Sequence, residues 1–224
     1  MYSYNAAFLH LWMQPLVLRD EELILLPEKV VWWPSKRTVI VADLHWGKTA
    51  HFRKNGIAIP AETQKQDEKR LADLIARHSA ERLIIAGDLF HSKANNETDS
   101  FNHWRYNHRS LHIDLVSGNH DILPNERYKE LNINLNPDTL LVVPFIISHD
   151  ALSGPDHFNI HGHVHPAVRI NGMGKQSVKL PCFAVAKNNM ILPAFGQFTG
   201  THTLEANSFD ALYVITEHKT LQWK

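Results

Sequence analysis

Three runs of aliphatic and β-branched residues constrain this chain most: Thr38-Val39-Ile40-Val41-Ala42, Arg82-Leu83-Ile84-Ile85-Ala86, and Leu111 to Ser117. A strand covered on both faces of a sheet reads as such a run rather than as an alternation. Between the first two, following Pro60, Leu71, Leu74, Ile75 and His78 recur at helical spacing with charges between them. They predict a helix over 61–78. Between the second and third, Phe101, Trp104 and His108 mark one face of a polar helix over 97–109. Strand, helix, strand, helix, strand is the order of α/β crossovers, which builds a parallel sheet.

The second half changes character. Short strands are expected at 140–143, 145–148, 158–161, 167–170, 178–185, 190–192, 211–215 and 220–223, punctuated by Gly, Pro and Asn. That half reads as a mostly antiparallel sheet. Residues 16–26 alternate loosely, as a hairpin edge would, and neither an internal repeat nor a low-complexity linker is visible. The expected architecture is therefore α/β (α+β): a four-layer αββα sandwich, with two mixed β-sheets packed face to face and helices outside. One domain is expected over 1–224, with 1–29 as a peripheral N-terminal arm or pair of strands.

Composition narrows the chemistry. Lys plus Arg equals Asp plus Glu, at 23 each. A protein that grips long duplex mainly through phosphates is more basic than that. Histidine is abundant, at sixteen, and imidazole is the commonest neutral metal ligand. The single cysteine, Cys182, excludes an internal disulfide and any cysteine-based zinc site, so a metal must be held by N and O ligands. One thiol also suits a reducing cytoplasm. The apolar stretch Tyr2 to Leu18 has no basic leader and is broken by Pro15. It falls short of the roughly twenty apolar residues a membrane span needs and reads as a peripheral strand or arm, with a weak surface anchor as the alternative.

Polar clusters stand where the apolar runs stop. They are Asp43-Leu44-His45, Gly87-Asp88, Gly118-Asn119-His120-Asp121, Ser148-His149-Asp150 and His161-Gly162-His163-Val164-His165. Ligands of open α/β sheets gather at such strand ends. Asp43 and His45, two apart, share a side if the strand stays extended, and the same holds for His163 and His165. A carboxylate with an imidazole suits Mn²⁺, Fe²⁺ or Zn²⁺. Asp88 has two oxygens and can bridge two cations. Asn119 offers a neutral carbonyl that does not repel phosphate. His120 needs no ligand role: with Asp121 to orient its ring and raise its pKa, it can act as general acid at a leaving oxygen. His161 is out of phase and reads as structural or as a support behind the ligands. Taken singly, each cluster is also an ordinary Asx-type turn; taken together, five in order at the ends of apolar runs are poorly explained that way.

This set resembles the calcineurin-like metallophosphoesterase superfamily, whose motif order is D-x-H, G-D, G-N-H-[DE], a lone H and G-H-x-H. The resemblance implies one metal on Asp43, His45, Asp88 and His165, and a second on Asp88, Asn119, His149 and His163. It also implies His120 as a catalytic histidine and a hydroxide bridging the metals as nucleophile. Gly87-Asp88-Leu89-Phe90-His91 further resembles the nuclease subunit of double-strand-break repair complexes, which implies that His91 contacts the scissile phosphate. A likeness to bacterial ligase-associated DNA-damage-response endonucleases covers most of the chain beyond residue 30. It includes Ala42-Asp43-Leu44-His45-Trp46-Gly47-Lys48, Phe52-Arg53-Lys54-Asn55-Gly56-Ile57, Leu180-Pro181-Cys182-Phe183 and Leu192-Pro193-Ala194-Phe195-Gly196. It implies a Mn²⁺-dependent DNA endonuclease working beside a ligase and a helicase in repair. Trp46 departs from the small or aliphatic residue common there, which leaves fine substrate preference open.

For substrate, Lys48, His51, Arg53 and Lys54 follow the first motif, and Arg105, Tyr106 and Arg109 form a second basic-aromatic group. Both suit a nucleic-acid backbone, and both equally suit a solvated loop or helix face. The motifs also fit a phosphodiesterase or phosphatase acting on nucleotides or other small esters. A non-catalytic scaffold of the same fold would lack a complete ligand set.

Overall fold

The computed structural model describes residues 13–224 apart from 55, 57–61, 92–94, 155–156 and 175, and leaves the side chains of 50, 51, 54 and 95–97 undescribed. The first sheet runs β1 (Gln14–Leu18), β2 (Glu21–Leu26), β3 (Val30–Trp33), β4 (Thr38–Val41), β5 (Arg82–Ala86), β6 (His112–Val116) and β7 (Asn134–Asn136), in that order. β1 to β4 pair antiparallel. β4 to β7 pair parallel, as the crossover pattern requires. Between them lie α1 (Lys48–Lys54), α2 (Glu62–His78), α3 (Asn95–Asn107) and α4 (Asn125–Glu130). The expected N-terminal arm is thus, from residue 14 on, the edge of this sheet.

The second sheet is built from β8 (Thr139–Val142), β9 (Phe145–Ser148), β10 (Phe158–His161), β11 (Pro166–Asn171), β12 (Ser177–Ala186), β13 (Asn189–Ile191), β14 (His202–Thr203), β15 (Ala211–Ile215) and β16 (Thr220–Gln222). Its order is β14-β11-β12-β13-β10-β9-β8, with β15 on β12 and β16 on β15. The antiparallel expectation needs one refinement: β10 is parallel to both β9 and β13, and β11 to β14. This has a functional consequence, because it brings the ends of β9 and β10 to the same edge.

The sheets are mixed and face each other. Val31, Trp33, Ile40, Ile84 and Val116 of the first pack with Phe145, Ile160, Phe183, Met190 and Tyr213 of the second. The other face of the first sheet, including Val39, Leu83 and Leu115, buries Leu71, Leu74 and Ile75 of α2, Phe101 and Trp104 of α3, and Tyr128 of α4. The fourth layer is thin. Over Val168, Cys182, Ala184 and Val214 lie Leu204, Ala206 and Phe209, the last two at a single 3₁₀ turn.

α2 illustrates how local rules set an element. Glu62 stands in its first turn and Arg77 in its last, each opposite in sign to the helix dipole there. Ser79 then adopts φ +49, and Ala80 N–H returns to Ile75 O at 2.9 Å, closing the helix.

Two sequence readings change here. Arg105 is 4% exposed, and its guanidinium donates to the carbonyls of Leu131 (3.2 Å), Asn132 (3.4 Å) and His108. It fastens the end of α3 to the loop after α4 and is not a cation offered to nucleic acid. Arg105→Ala is expected to cost about 2–3 kcal/mol, because buried carbonyls lose their partner. Urea denaturation checks this; a variant as stable as the parent would refute it. Trp46 points into the helical layer, against Phe101 (5.0 Å) and Trp104 (5.8 Å), and its indole N–H donates to Ser100 Oγ at 3.1 Å. It anchors α3 to the first motif rather than lining the site. Among the described residues, no helix is long and apolar enough to cross a membrane.

Candidate metal centre

Each candidate ligand follows a strand, and the strands end at one edge. Asp43 and His45 follow β4, Asp88 follows β5, Asn119 to Asp121 follow β6, His149 follows β9, and His163 and His165 lie between β10 and β11. An isolated parallel bridge between Ala42 and Ala194 ties the first sheet's edge to the end of β13. Among the described residues, four overlapping sets place their donor atoms within 4.8 Å of one another: Asp43/His45/His165, Asp43/Asp88/His149, His45/Asp88/His120 and His149/Asp150/His163. Asp88 is central. Its Oδ2 is 3.7 Å from His45 Nε2, and its Oδ1 is 3.7 Å from His149 Nε2. Asn119 stands on the same turn as His120 with its side chain exposed.

The clusters meet by a route other than extended strand. Asp43 (φ +55), His45 (+47), Asp88 (+55), His163 (+67) and His165 (+51) all adopt left-handed backbone. The expectation that each D-x-H and H-x-H pair projects by strand alternation is therefore corrected. A left-handed non-glycine costs about 1–3 kcal/mol and persists only where surroundings impose it. Here they do. Asp43 N–H donates to Gly87 O (3.1 Å), His45 N–H to Asp88 O (2.9 Å) and Val164 N–H to Gly162 O (2.8 Å). His163 N–H donates to Asp43 Oδ2 at 3.1 Å, which stitches one sheet's motif to the other's.

Three glycines leave room for this crowding. A Cβ on Gly87 would stand 2.0 Å from His149 Nδ1, one on Gly118 2.3 Å from Asp88 Oδ1, and one on Gly162 2.8 Å from Asp43 Oδ2. Close approach at Gly87 and Gly162 is expected from sequence; the role of Gly118 emerges only from the packing.

Hydrogen bonds orient the rings. His149 Nδ1 faces Ala86 O (3.2 Å) and His165 Nδ1 faces Gly200 O (3.1 Å). A carbonyl accepts, so each Nδ1 carries the proton and each Nε2 presents a lone pair inward. His149 Nε2 lies 3.0 Å from His163 Nδ1, and His163 Nε2 lies 3.8 Å from Asp150 Oδ1. Burial, together with the nearby charge of Lys48, lowers the pKa of His45 to about 2, so its ring is neutral. His45 Nε2, His165 Nε2 and Asp43 Oδ1 are buried without a hydrogen-bond partner. Such atoms are costly unless something else satisfies them, and two lone-pair nitrogens beside a carboxylate oxygen fit a divalent cation. The residues present thus fit the metals implied by the sequence.

Asp121 behaves differently from expectation. Its carboxylate accepts from the backbone N–H groups of Gly118 (2.9 Å), Leu89 (3.0 Å) and Phe90 (3.3 Å), clamping two motif loops together. Burial raises its pKa to about 6 against those hydrogen bonds. It is the carbonyl of His91 that faces His120 Nδ1, at 3.2 Å. His91 itself stacks on His120, with ring centroids 5.3 Å apart, and lies 5.7 Å from His45. Phe52 of α1 is 6.1 Å from His91. Arg53 is exposed on the same helix, while the side chain of Lys54 lies outside the described residues. His161 is buried, with Nδ1 3.2 Å from Gly162 O.

Two backbone groups in the turn after β13 support the site from outside the five polar clusters, although Phe195-Gly196 stands within the likeness above. Gly196 N–H donates to Asp43 O at 3.2 Å, and Gly200 O orients His165. The sequence signal of this turn is the pair of glycines that follows β13.

The family model described as calcineurin-like phosphoesterase matches residues 36–185, which contain every candidate ligand. Among solved structures, the chain is similar to the nuclease MPE of Pseudomonas putida, at 30% identity, over 94% of this chain and 99% of that one, with a TM-score of 0.78. It also matches Yfce, a phosphoesterase from E. coli, at 16% identity, over 82% of this chain and 95% of that one, with a TM-score of 0.43. No curated protein matches. Fold and family together define a metal-dependent phosphoesterase. The chain belongs to the calcineurin-like phosphoesterase family.

Proposed function

We propose that this phosphoesterase is a two-cation phosphodiesterase that cleaves nucleic acid, with DNA in damage repair as its substrate. The observation that carries the two-cation reading is Asp88, whose two oxygens face separate imidazoles, His45 and His149. Asp43, His45, Asp88 and His165 would hold one cation, and Asp88, Asn119, His149 and His163 the other. Two bound divalent ions, Mn²⁺ in our reading and Fe²⁺ or Zn²⁺ as alternatives, would neutralise phosphate charge and make water nucleophilic at neutral pH. The nucleic-acid reading draws on the likeness to a nuclease over nearly the whole chain. The repair setting, beside a ligase and a helicase, rests on the motif resemblance, and the cytoplasm on the cysteine usage.

In this scheme the chain's own residues position and protonate. With Nδ1–H engaged by the carbonyl of His91, His120 would donate from Nε2 to the leaving oxygen in its doubly protonated, imidazolium form. His91, stacked beside it, holds a phosphate oxygen that the cations do not reach. Asp121 keeps the two loops bearing Asp88 and His120 in register, and Arg53 and Lys54 meet the flanking backbone. His120→Asn is expected to lower turnover about 100- to 1,000-fold with cation stoichiometry unchanged. Metal analysis beside kinetics checks this, and loss of a cation would contradict it. Activity across several divalent metals against circular single-stranded DNA, plasmid, methyl p-nitrophenyl phosphate and a phosphomonoester tests the function. Hydrolysis confined to the monoester would sink it; hydrolysis of the small diester but not of DNA would leave the small-ester alternative.

A further inference from the structure

Two residues separate a buried phenylalanine from an exposed one beside the centre. Phe195 is 1% exposed and packs in the helix-side core. Phe198 is 43% exposed and belongs to none of the three apolar clusters of the described residues. Leaving a large ring in water forgoes burial energy, and isolated exposed apolar residues are common on any surface. What distinguishes Phe198 is how firmly its backbone is tied to the site.

On its N-terminal side, Phe195 N–H donates to Ala42 O (3.0 Å) and Gly196 N–H to Asp43 O (3.2 Å). Gln197 N–H donates to Asp67 Oδ2 at 3.2 Å. Arg70, paired with Asp67 at 2.9 Å, donates to Phe195 O at 2.5 Å and lies over the Phe195 ring at 4.0 Å. Thr199 N–H then returns to Gly196 O at 3.2 Å, making a tight turn with Phe198 inside it. On the C-terminal side, Gly200 O faces His165 Nδ1 at 3.1 Å, and His202 N–H donates to His165 O at 2.9 Å. The turn is thus fastened to Asp43 at one end and to His165 at the other. Phe198 is two residues from Gly200, so their Cα atoms are within about 8 Å.

We infer that Phe198 is a specificity-determining residue, whose ring stacks on a nucleobase flanking the phosphate held at the metal centre. The inference rests on the nucleic-acid reading above and deepens it. An exposed aromatic on a fixed turn presents a π-face with little ordering cost, and stacking of this kind tolerates any base. It would bias the enzyme toward strands whose bases are unpaired beside the cut, since a paired base has its faces occupied.

The test uses oligonucleotides with one cleavable phosphodiester whose two flanking nucleotides either carry bases or are abasic. Parent, Phe198→Ala and Phe198→Trp are compared, with Met173→Ala as an exposed apolar control in the β11–β12 turn. Phe198→Ala is expected to lower kcat/KM on the base-bearing strand about tenfold, mainly through KM. It should leave methyl p-nitrophenyl phosphate hydrolysis and cation stoichiometry at parental values. Removing the bases should cost the parent the same factor and cost Phe198→Ala nothing further, since both changes delete one contact. Phe198→Trp should retain parental rates. Equal losses on DNA and on the small diester, or a full additional loss on the abasic strand, would overturn the assignment while leaving the nucleic-acid reading intact. Failure of the parent to cleave any oligonucleotide while it hydrolyses the small diester would overturn both.

Discussion

Asp88→Ala is expected to abolish phosphodiester hydrolysis, with a loss of more than about 1,000-fold at saturating Mn²⁺. The reason is geometric. One carboxylate faces His45 with one oxygen and His149 with the other, so removing it would take a ligand from both of the proposed cation sets at once. Its Oδ1 also accepts the His120 N–H at 2.9 Å, so the loop proposed to carry the general acid loses a tether. Asp88→Asn keeps that shape while removing the charge between the cations, and it is expected to fail nearly as badly. Metal content measured after desalting should drop from two ions per chain to one or fewer. Substantial turnover by either variant in a metal-replete assay would show that Asp88 bridges nothing.

Gly87→Ala should be almost as damaging without touching a ligand. The added methyl would sit 2.0 Å from His149 Nδ1, and the backbone there has φ +84, which alanine adopts only under strain. His149 must then leave the carbonyl of Ala86, and with it the orientation that aims its Nε2 at Asp88. The expected result is release of the cation proposed to sit on His149 and a loss of activity of about 100-fold, with the fold retained. Circular dichroism, metal stoichiometry and kinetics on the same preparation distinguish this from global unfolding. Two tightly bound ions with parental rates would show that the ring has other room.

Much of this architecture is legible in the residue pattern, for identifiable reasons. The β-branched runs at 38–42 and 82–86 become β4 and β5 because buried strands need uninterrupted apolar side chains, and Leu71, Leu74 and Ile75 become the buried stripe of α2. α1, α4 and β7 are invisible in the pattern. They are short, and α1 and β7 carry little periodicity of their own. Which residues gather at the strand ends follows from motif order; how they turn toward one another does not. Left-handed backbone at Asp43, His45, Asp88, His163 and His165 is imposed by bonds to residues far away in sequence, such as His45 N–H to Asp88 O. The same holds for Asp121, whose neighbour in sequence is His120 but whose carboxylate serves the amides of Leu89 and Phe90. Arg105 resembles a surface cation in sequence, and only its three carbonyl partners identify it as a strut.

The seam between the sheets has a further consequence. Asp43 receives the amide of His163 on its carboxylate and the amide of Gly196 on its carbonyl, so the centre is assembled from pieces more than a hundred positions apart. A ribosome would emit the acidic half well before the imidazole-rich half. A copy that stops before His163 therefore lacks part of the candidate centre, and the cell meets the assembled site only once the polypeptide has closed on itself.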